Sequence, residues 1–120
     1  MNELRMLSII MAIILAITIF YVSSLSLPPS PKAGIDLSAS YHILIFFYFS
    51  FFLFLALSGN KRGLKYFLLT LVISIIYAAS DEFHQLFVPY RSSNFSDFLV
   101  DCFGILASSL FLLLLTRKKS

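Results

Sequence analysis

The residues that could do chemistry are concentrated between positions 81 and 101 of this 120-residue chain. This stretch combines four carboxyl side chains with an amide, an imidazole and a guanidinium: Asp81, Glu82, Asp97, Asp101, Gln85, His84 and Arg91. With every acid ionised and the histidine neutral, four acids stand against one arginine. Like charges this close cannot all ionise in a low dielectric, so some carboxyls hold protons or a cation lies among them. The stretch therefore suits acid–base work, a divalent cation bound through oxygen ligands, or an anion held by Arg91.

A buried hydrogen-bond network that only fixes helix packing is the structural alternative. A network of that kind would more naturally be electrically neutral, because unbalanced buried charge is costly. The excess of acids favours a functional site.

The rest of the chain is too apolar for a soluble domain of this size. Hydrophobic residues make up 59% of it and charged residues only 12%, whereas a soluble domain carries roughly 25% charged residues. A soluble fold this small could not bury so much apolar surface, so lipid must surround most of it. The single Cys102 excludes an internal disulfide. The net charge of +3 comes from basic residues that flank apolar segments, so we expect no nucleic-acid partner.

Four apolar segments predict an all-α membrane protein, a bundle of four transmembrane helices in a single domain over residues 1–120. The helices are predicted over about residues 6–27, 40–58, 64–88 and 96–116. The first segment could also be a signal peptide. Its apolar run, however, exceeds the roughly 7–15 residues of a signal core, which favours a membrane-spanning helix.

The distribution of lysine and arginine predicts the orientation. If both termini are cytoplasmic, only Lys32 and Arg91 of the nine basic residues lie outside. Because basic residues concentrate in cytoplasmic loops, we expect both termini inside, in a multi-pass protein of the cell membrane. The acidic stretch then lies at the outer face.

The third and fourth helices should continue into their charged ends. Their uncharged cores of about 15 residues would reach only about 22 Å, against a hydrocarbon layer of roughly 30 Å. We therefore expect the third helix to run to Val88, just before a proline. This places Asp81 and Glu82 about 10 Å below its outer end. Asp101, one turn inside the fourth helix, comes to a similar depth.

Each of these two helices carries a stripe of polar and small residues. At about 100° per residue, the stripes contain Ser74, Tyr77, Ala78, Asp81 and Gln85 on the third helix, and Asp97, Asp101, Gly104 and Ser108 on the fourth. Small residues let membrane helices approach closely. We predict that the two stripes face each other, with Glu82 and His84 flanking the first.

The same residues resemble the signature of VanZ-like membrane proteins. The match holds in order and spacing at Asp81, Glu82, Gln85, Pro89, Arg91, Asp97, Asp101 and Gly104. Ser23-Ser24 with the prolines that follow, and His42, are also similar to features of that family. The resemblance implies a four-helix protein of the cell envelope. It also implies a link to antibiotic resistance, since the founding member lowers susceptibility to the glycopeptide teicoplanin.

The functional hypothesis is an outer-face acidic site that recognises or modifies a polar membrane lipid or a lipid-linked envelope precursor. The candidate catalytic residues are Asp81, Glu82, Gln85, Arg91, Asp97 and Asp101. The candidate substrate-binding residues are Arg91, His84 and His42. A divalent cation, if present, would be held by Asp81, Glu82 and Asp101. Whether the protein is an enzyme stays open. The alternatives are a small proton- or cation-coupled transporter and a non-catalytic membrane scaffold.

Overall fold

A computed structural model describes residues 3–25, 37–59, 63–88 and 95–117, without the side chains of residues 37–39, 95–96 and 116–117. These ranges contain four α-helices and no strand: α1 (Glu3–Ser23), α2 (Leu37–Ser58), α3 (Leu64–Gln85) and α4 (Phe95–Arg117). The all-α, four-helix prediction is confirmed. The first helix lies three to four residues nearer the N-terminus than predicted.

The end of α3 differs slightly from the prediction. The regular helix ends at Gln85, and tighter backbone bonds continue the turn: Leu86 N–H to Phe83 C=O, Phe87 N–H to His84 C=O and Val88 N–H to Gln85 C=O. Such i→i+3 bonds are common where a helix ends. The chain therefore stays helical in character up to Val88, as predicted from the length that a helix needs to cross the hydrocarbon layer.

All four helices are long and apolar enough to cross a membrane. They contain 21 to 23 residues, or roughly 32–35 Å at 1.5 Å per residue, against a hydrocarbon layer of about 30 Å. Large apolar side chains such as Ile17, Leu68 and Phe103 point outward and are more than half exposed. In a membrane protein this surface contacts lipid, so the chain is a multi-pass membrane protein. The placement of both termini in the cytoplasm stays a prediction.

Helix α2 lies at the centre of the bundle and contacts the other three helices. Its Phe46 and Phe49 pack with Ile19 of α1, Ala78 of α3 and Ile105 of α4 in one buried cluster. A second cluster joins Phe54, Phe67 and Leu112. Within the described residues, α1 and α4 do not contact each other. The core thus forms around α2, with α1 and α4 on different sides of it.

Gly104 is the point of closest approach between α4 and α2. A Cβ atom at this position would lie 2.5 Å from the backbone oxygen of Ile43. Only glycine fits such a contact, in agreement with the role of small residues between membrane helices. The close approach brings the beginnings of α2 and α4 together, where His42 and Asp101 lie.

The two ends of the bundle differ in polarity. At one end, the Arg5 side chain of α1 donates to the backbone oxygen of Ala56 near the end of α2, at 2.9 Å. The other end contains the last turn of α1, the first turns of α2 and α4, and the last turns of α3. This second end carries Asp81, Asp97 and Asp101, which the topology prediction assigns to the outer face.

Candidate functional site

Asp81 is buried between α3 and α1. The hydroxyl of Ser23, the last residue of α1, donates to Asp81 Oδ1. Gln85, one turn further along α3, donates from Nε2 to Asp81 Oδ2 at 3.4 Å and to Ser23 Oγ at 3.3 Å. Because all three side chains are buried, these bonds form in a low dielectric and fix the orientation of the carboxyl group.

Asp101 is the most deeply buried acid of the site, with no exposed surface. Its Oδ1 lies 2.6 Å from Nδ1 of His42 on α2, which is also buried. Among the described residues, nothing donates a hydrogen bond to its second oxygen, Oδ2. A buried acceptor without a donor is unusual and costly in a native protein.

His84 belongs to the periphery of the site. Its Nε2 lies 2.9 Å from the Ser24 hydroxyl, and its ring stacks on Phe20 with centroids 4.7 Å apart. Both partners are exposed, Phe20 on α1 and Ser24 directly after its end. In these contacts His84 joins α1 to α3.

The acids of α3 and α4 form one electrostatic unit with His42. Three carboxyl groups act on the imidazole of His42, namely those of Asp101, Asp97 and Asp81. Asp101 is in turn influenced by Glu82 and Asp97. We use the name polar cluster for the residues joined by these bonds and charges: Ser23, His42, Asp81, Glu82, Gln85, Asp97 and Asp101.

Comparison with known protein families shows which family this chain is related to. The model of the family described as VanZ/LLP1 matches residues 6–116. The chain belongs to the VanZ/LLP1 family. The matched range includes every residue of the polar cluster, and the resemblance seen in the sequence is confirmed. No curated protein and no solved structure gives a significant match.

The helix stripes of this VanZ/LLP1 chain are mostly buried, with Tyr77 and Asp97 partly exposed, but the helices that they contact differ from the prediction. Asp81 bonds to α1, and so does Tyr77, whose hydroxyl donates to the Ala16 backbone oxygen at 2.5 Å. Asp101 and Gly104 contact α2 instead. Helices α3 and α4 do contact each other, yet the neighbouring helices supply these specific contacts.

Two contributions were missed or underrated by sequence reasoning. Ser23 was not a candidate, although it is a polar residue at the end of an apolar helix and at the depth of Asp81. His42 was a candidate for substrate binding, but its pairing with Asp101 was not predicted. For both residues, the sequence signal of the contact was a predicted depth in the membrane equal to that of the acid: Ser23 with Asp81, and His42 with Asp101. Arg91 lies outside the described residues, so its role as an anion clamp stays a prediction.

The sequence predicts that a divalent cation, if present, is held by Asp81, Glu82 and Asp101. Among the residues that the structure describes, no three His, Cys, Asp or Glu side chains are placed to hold a metal ion together. Asp81 instead takes a donor from Ser23, and Asp101 one from His42. A cation site formed by Asp81, Glu82 and Asp101 stays a prediction.

Proposed function

We propose that this VanZ/LLP1 protein recognises or modifies the polar head group of a membrane lipid or a lipid-linked envelope precursor at the polar cluster. The observation that carries the proposal is the Asp101 carboxyl group, which is held by His42 through one oxygen while the other is buried and has no donor among the described residues. A hydroxyl or ammonium group of a ligand would supply that donor. A site built for a ligand donor also rejects molecules that lack it, because the buried acceptor would then stay unsatisfied.

The charge of the cluster indicates which head groups suit it. Carboxyl groups are hydrogen-bond acceptors when ionised, and they attract cations and polarised hydroxyls. Sugar, glycerol and amine head groups present such donors. A phosphate in the same ligand would be repelled by the acids, and Arg91 is the residue that we expect to bind it.

The His42–Asp101 pair gives the site a candidate proton acceptor. If Nδ1 carries the proton that is donated to Asp101, then Nε2 is left as the basic nitrogen. A carboxyl group that fixes the tautomer and stabilises the imidazolium is the arrangement used for general bases in hydrolytic triads. His42 could therefore remove a proton from a ligand hydroxyl, while Asp81, held by Ser23 and Gln85, binds a second polar group of the ligand.

A link to teicoplanin susceptibility is part of the same proposal. Binding of an envelope precursor would change its availability at the outer membrane surface, where a lipid-interacting glycopeptide acts. Expression of the wild type should then alter the inhibitory concentration of teicoplanin, and expression of Asp101→Asn should not.

The proposal is tested by lipid retention in native mass spectrometry of the purified protein. Phosphatidylglycerol, whose glycerol head group supplies hydroxyl donors, serves as the probe, with phosphatidylcholine as reference. Asp101→Asn keeps the side-chain shape but can place an NH₂ donor where Oδ2 was an acceptor, so it should abolish selective retention. Glu3→Gln is the matched acid-to-amide control, because Glu3 is exposed at the start of α1. Equal retention by wild type and Asp101→Asn would refute the proposal.

A proton- or cation-coupled transporter is a second candidate, favoured by polar groups deeper in the bundle. Ser74 and Ser108 are fully buried, and their hydroxyls have no partner among the described residues. Ser74 lies seven residues before Asp81, and Ser108 lies seven residues after Asp101. Each serine is therefore roughly 10 Å nearer the opposite end of the bundle than the acid on the same helix. Proton or cation flux in liposomes that is lost in Ser74→Ala would favour this candidate over lipid recognition.

A further inference from the structure

Helices α1 and α2 leave an apolar groove between them on the outside of the bundle. The groove has a volume of about 450 Å³, within the range of pockets that bind small hydrophobic molecules. It is lined by Met11 and Leu15 of α1 and by residues of α2 that include Tyr41, Leu44 and Tyr48. Leu44 is 57% exposed and Tyr48 is 49% exposed, so the groove is open to the lipid phase.

The groove begins beside the polar cluster, next to His42. Tyr41, at its outer end, directly precedes His42, and the two rings meet edge to face with centroids 5.5 Å apart. Phe52, at its inner end, lies ten residues beyond His42, or about 15 Å along the helix. This distance is half of the roughly 30 Å hydrocarbon layer. The groove therefore runs inward from the depth of the cluster over about the thickness of one leaflet, and it passes the midpoint of α2.

We infer that the groove binds one hydrocarbon chain of the lipid whose head group occupies the polar cluster. The inference rests on the proposed function and narrows its substrate to a long-chain lipid that is bound by head and tail together. Three features argue for this occupant: the apolar lining, the length of one leaflet, and the junction with His42. A released, water-soluble head group would leave the groove unused and should bind far more weakly.

The test is photo-crosslinking of the full chain in phosphatidylcholine nanodiscs. The probe is phosphatidylglycerol with a diazirine in one acyl chain, and the labelled peptides are identified by mass spectrometry. Labelling at Leu44 and Tyr48 should saturate, exceed that at Ile76 several-fold, and fall when unlabelled phosphatidylglycerol is added. Ile76 is the reference because it is 60% exposed on α3, away from the groove.

Two variants separate the groove from the surrounding lipid. Leu44→Trp fills the groove and should remove the saturable labelling, whereas Ile76→Trp, an equal increase in volume on a lipid-facing helix, should leave it unchanged. Labelling that never saturates and matches Ile76 would mean that ordinary bilayer lipid fills the groove. Crosslinks to a second copy of the chain would make it a subunit interface. Either result overturns the inference.

Asp101→Asn distinguishes this inference from the proposed function. Saturable labelling that is lost in Asp101→Asn supports both. Saturable labelling that is unchanged in Asp101→Asn supports the chain site and refutes head-group recognition by the cluster. Selective lipid retention in native mass spectrometry without saturable groove labelling leaves the proposed function standing and overturns the groove.

Discussion

Replacement of Gly104 by alanine should separate α4 from α2 and disconnect the polar cluster. The new Cβ would lie 2.5 Å from the Ile43 backbone oxygen and 3.2 Å from its Cα and carbonyl carbon. The closest carbon–oxygen contacts between helices are about 3.3 Å, so the two backbones would have to move apart by roughly 0.8 Å. None of these three atoms belongs to a flexible side chain that could turn away.

This displacement is large enough to affect the His42–Asp101 bond. Ile43 adjoins His42, and Gly104 lies one turn from Asp101, so both partners move with the contact. A separation of 2.6 Å would increase to about 3.4 Å, beyond the usual limit of about 3.2 Å for an N–H···O bond. Overpacking of this kind costs about 1–3 kcal/mol, and we expect a loss of stability in that range together with weaker lipid retention.

The assay is reversible unfolding in mixed detergent micelles, combined with lipid retention on the same samples. Gly63→Ala is the matched control, because its Cβ would meet only the Tyr66 ring at 3.8 Å. Gly104→Ala should be less stable than Gly63→Ala by the stated amount. Equal stability of the two variants, with lipid retention intact, would refute the close approach of α2 and α4 on which the site depends.

Three further predictions concern the cluster and the topology. Ser23→Ala removes a donor from a buried carboxyl group and should cost about 1–3 kcal/mol in the free energy of unfolding, whereas Ser24→Ala, at an exposed site, should cost less; the opposite order would contradict the assigned contacts. His42→Ala and Asp101→Ala should be non-additive, with a coupling of about 0.5–3 kcal/mol in a double-mutant unfolding cycle, and strictly additive losses would show that the pair does not interact. In a cysteine-free background, Ser120→Cys in intact cells should react with a membrane-permeant maleimide but not with an impermeant one, and labelling by the impermeant reagent would reverse the predicted orientation.

The sequence was most informative where membrane physics leaves few alternatives. Apolar runs of this length have only one common structure in lipid, because every backbone group must be bonded within the segment. The same rule required α3 and α4 to continue into their charged ends, and Asp81 and Asp101 are indeed helical and buried. The first helix begins three residues earlier than predicted because the prediction followed the uncharged run, whereas the helix includes Arg5, whose side chain donates to the backbone oxygen of Ala56.

Helix partners were harder to predict than helix positions. Helical phase shows which residues share a face, but it does not identify the helix on which that face packs. The close contact of Gly104 with Ile43 decides that Asp101 meets His42. In the same way, the position of α1 decides that Asp81 meets Ser23, a residue with no charge to attract attention.

The contact between α1 and α3 is small and depends on hydrogen bonds. They are the least extensive of the helix contacts within the described residues, and several are hydrogen bonds: Ser23 to Asp81, Ser24 to His84, and Tyr77 to the Ala16 backbone. Hydrogen bonds are directional and are lost over a short displacement, whereas packed apolar surfaces must be rearranged. Separation of α1 from α3 would therefore expose Asp81 to the bilayer at the loss of a few hydrogen bonds. The rate of that separation should depend on the hydroxyl groups of α1 and α3 more than on the volume of their side chains. The His42–Asp101 pair should keep its geometry, because it joins α2 and α4, the two helices with the most extensive contact.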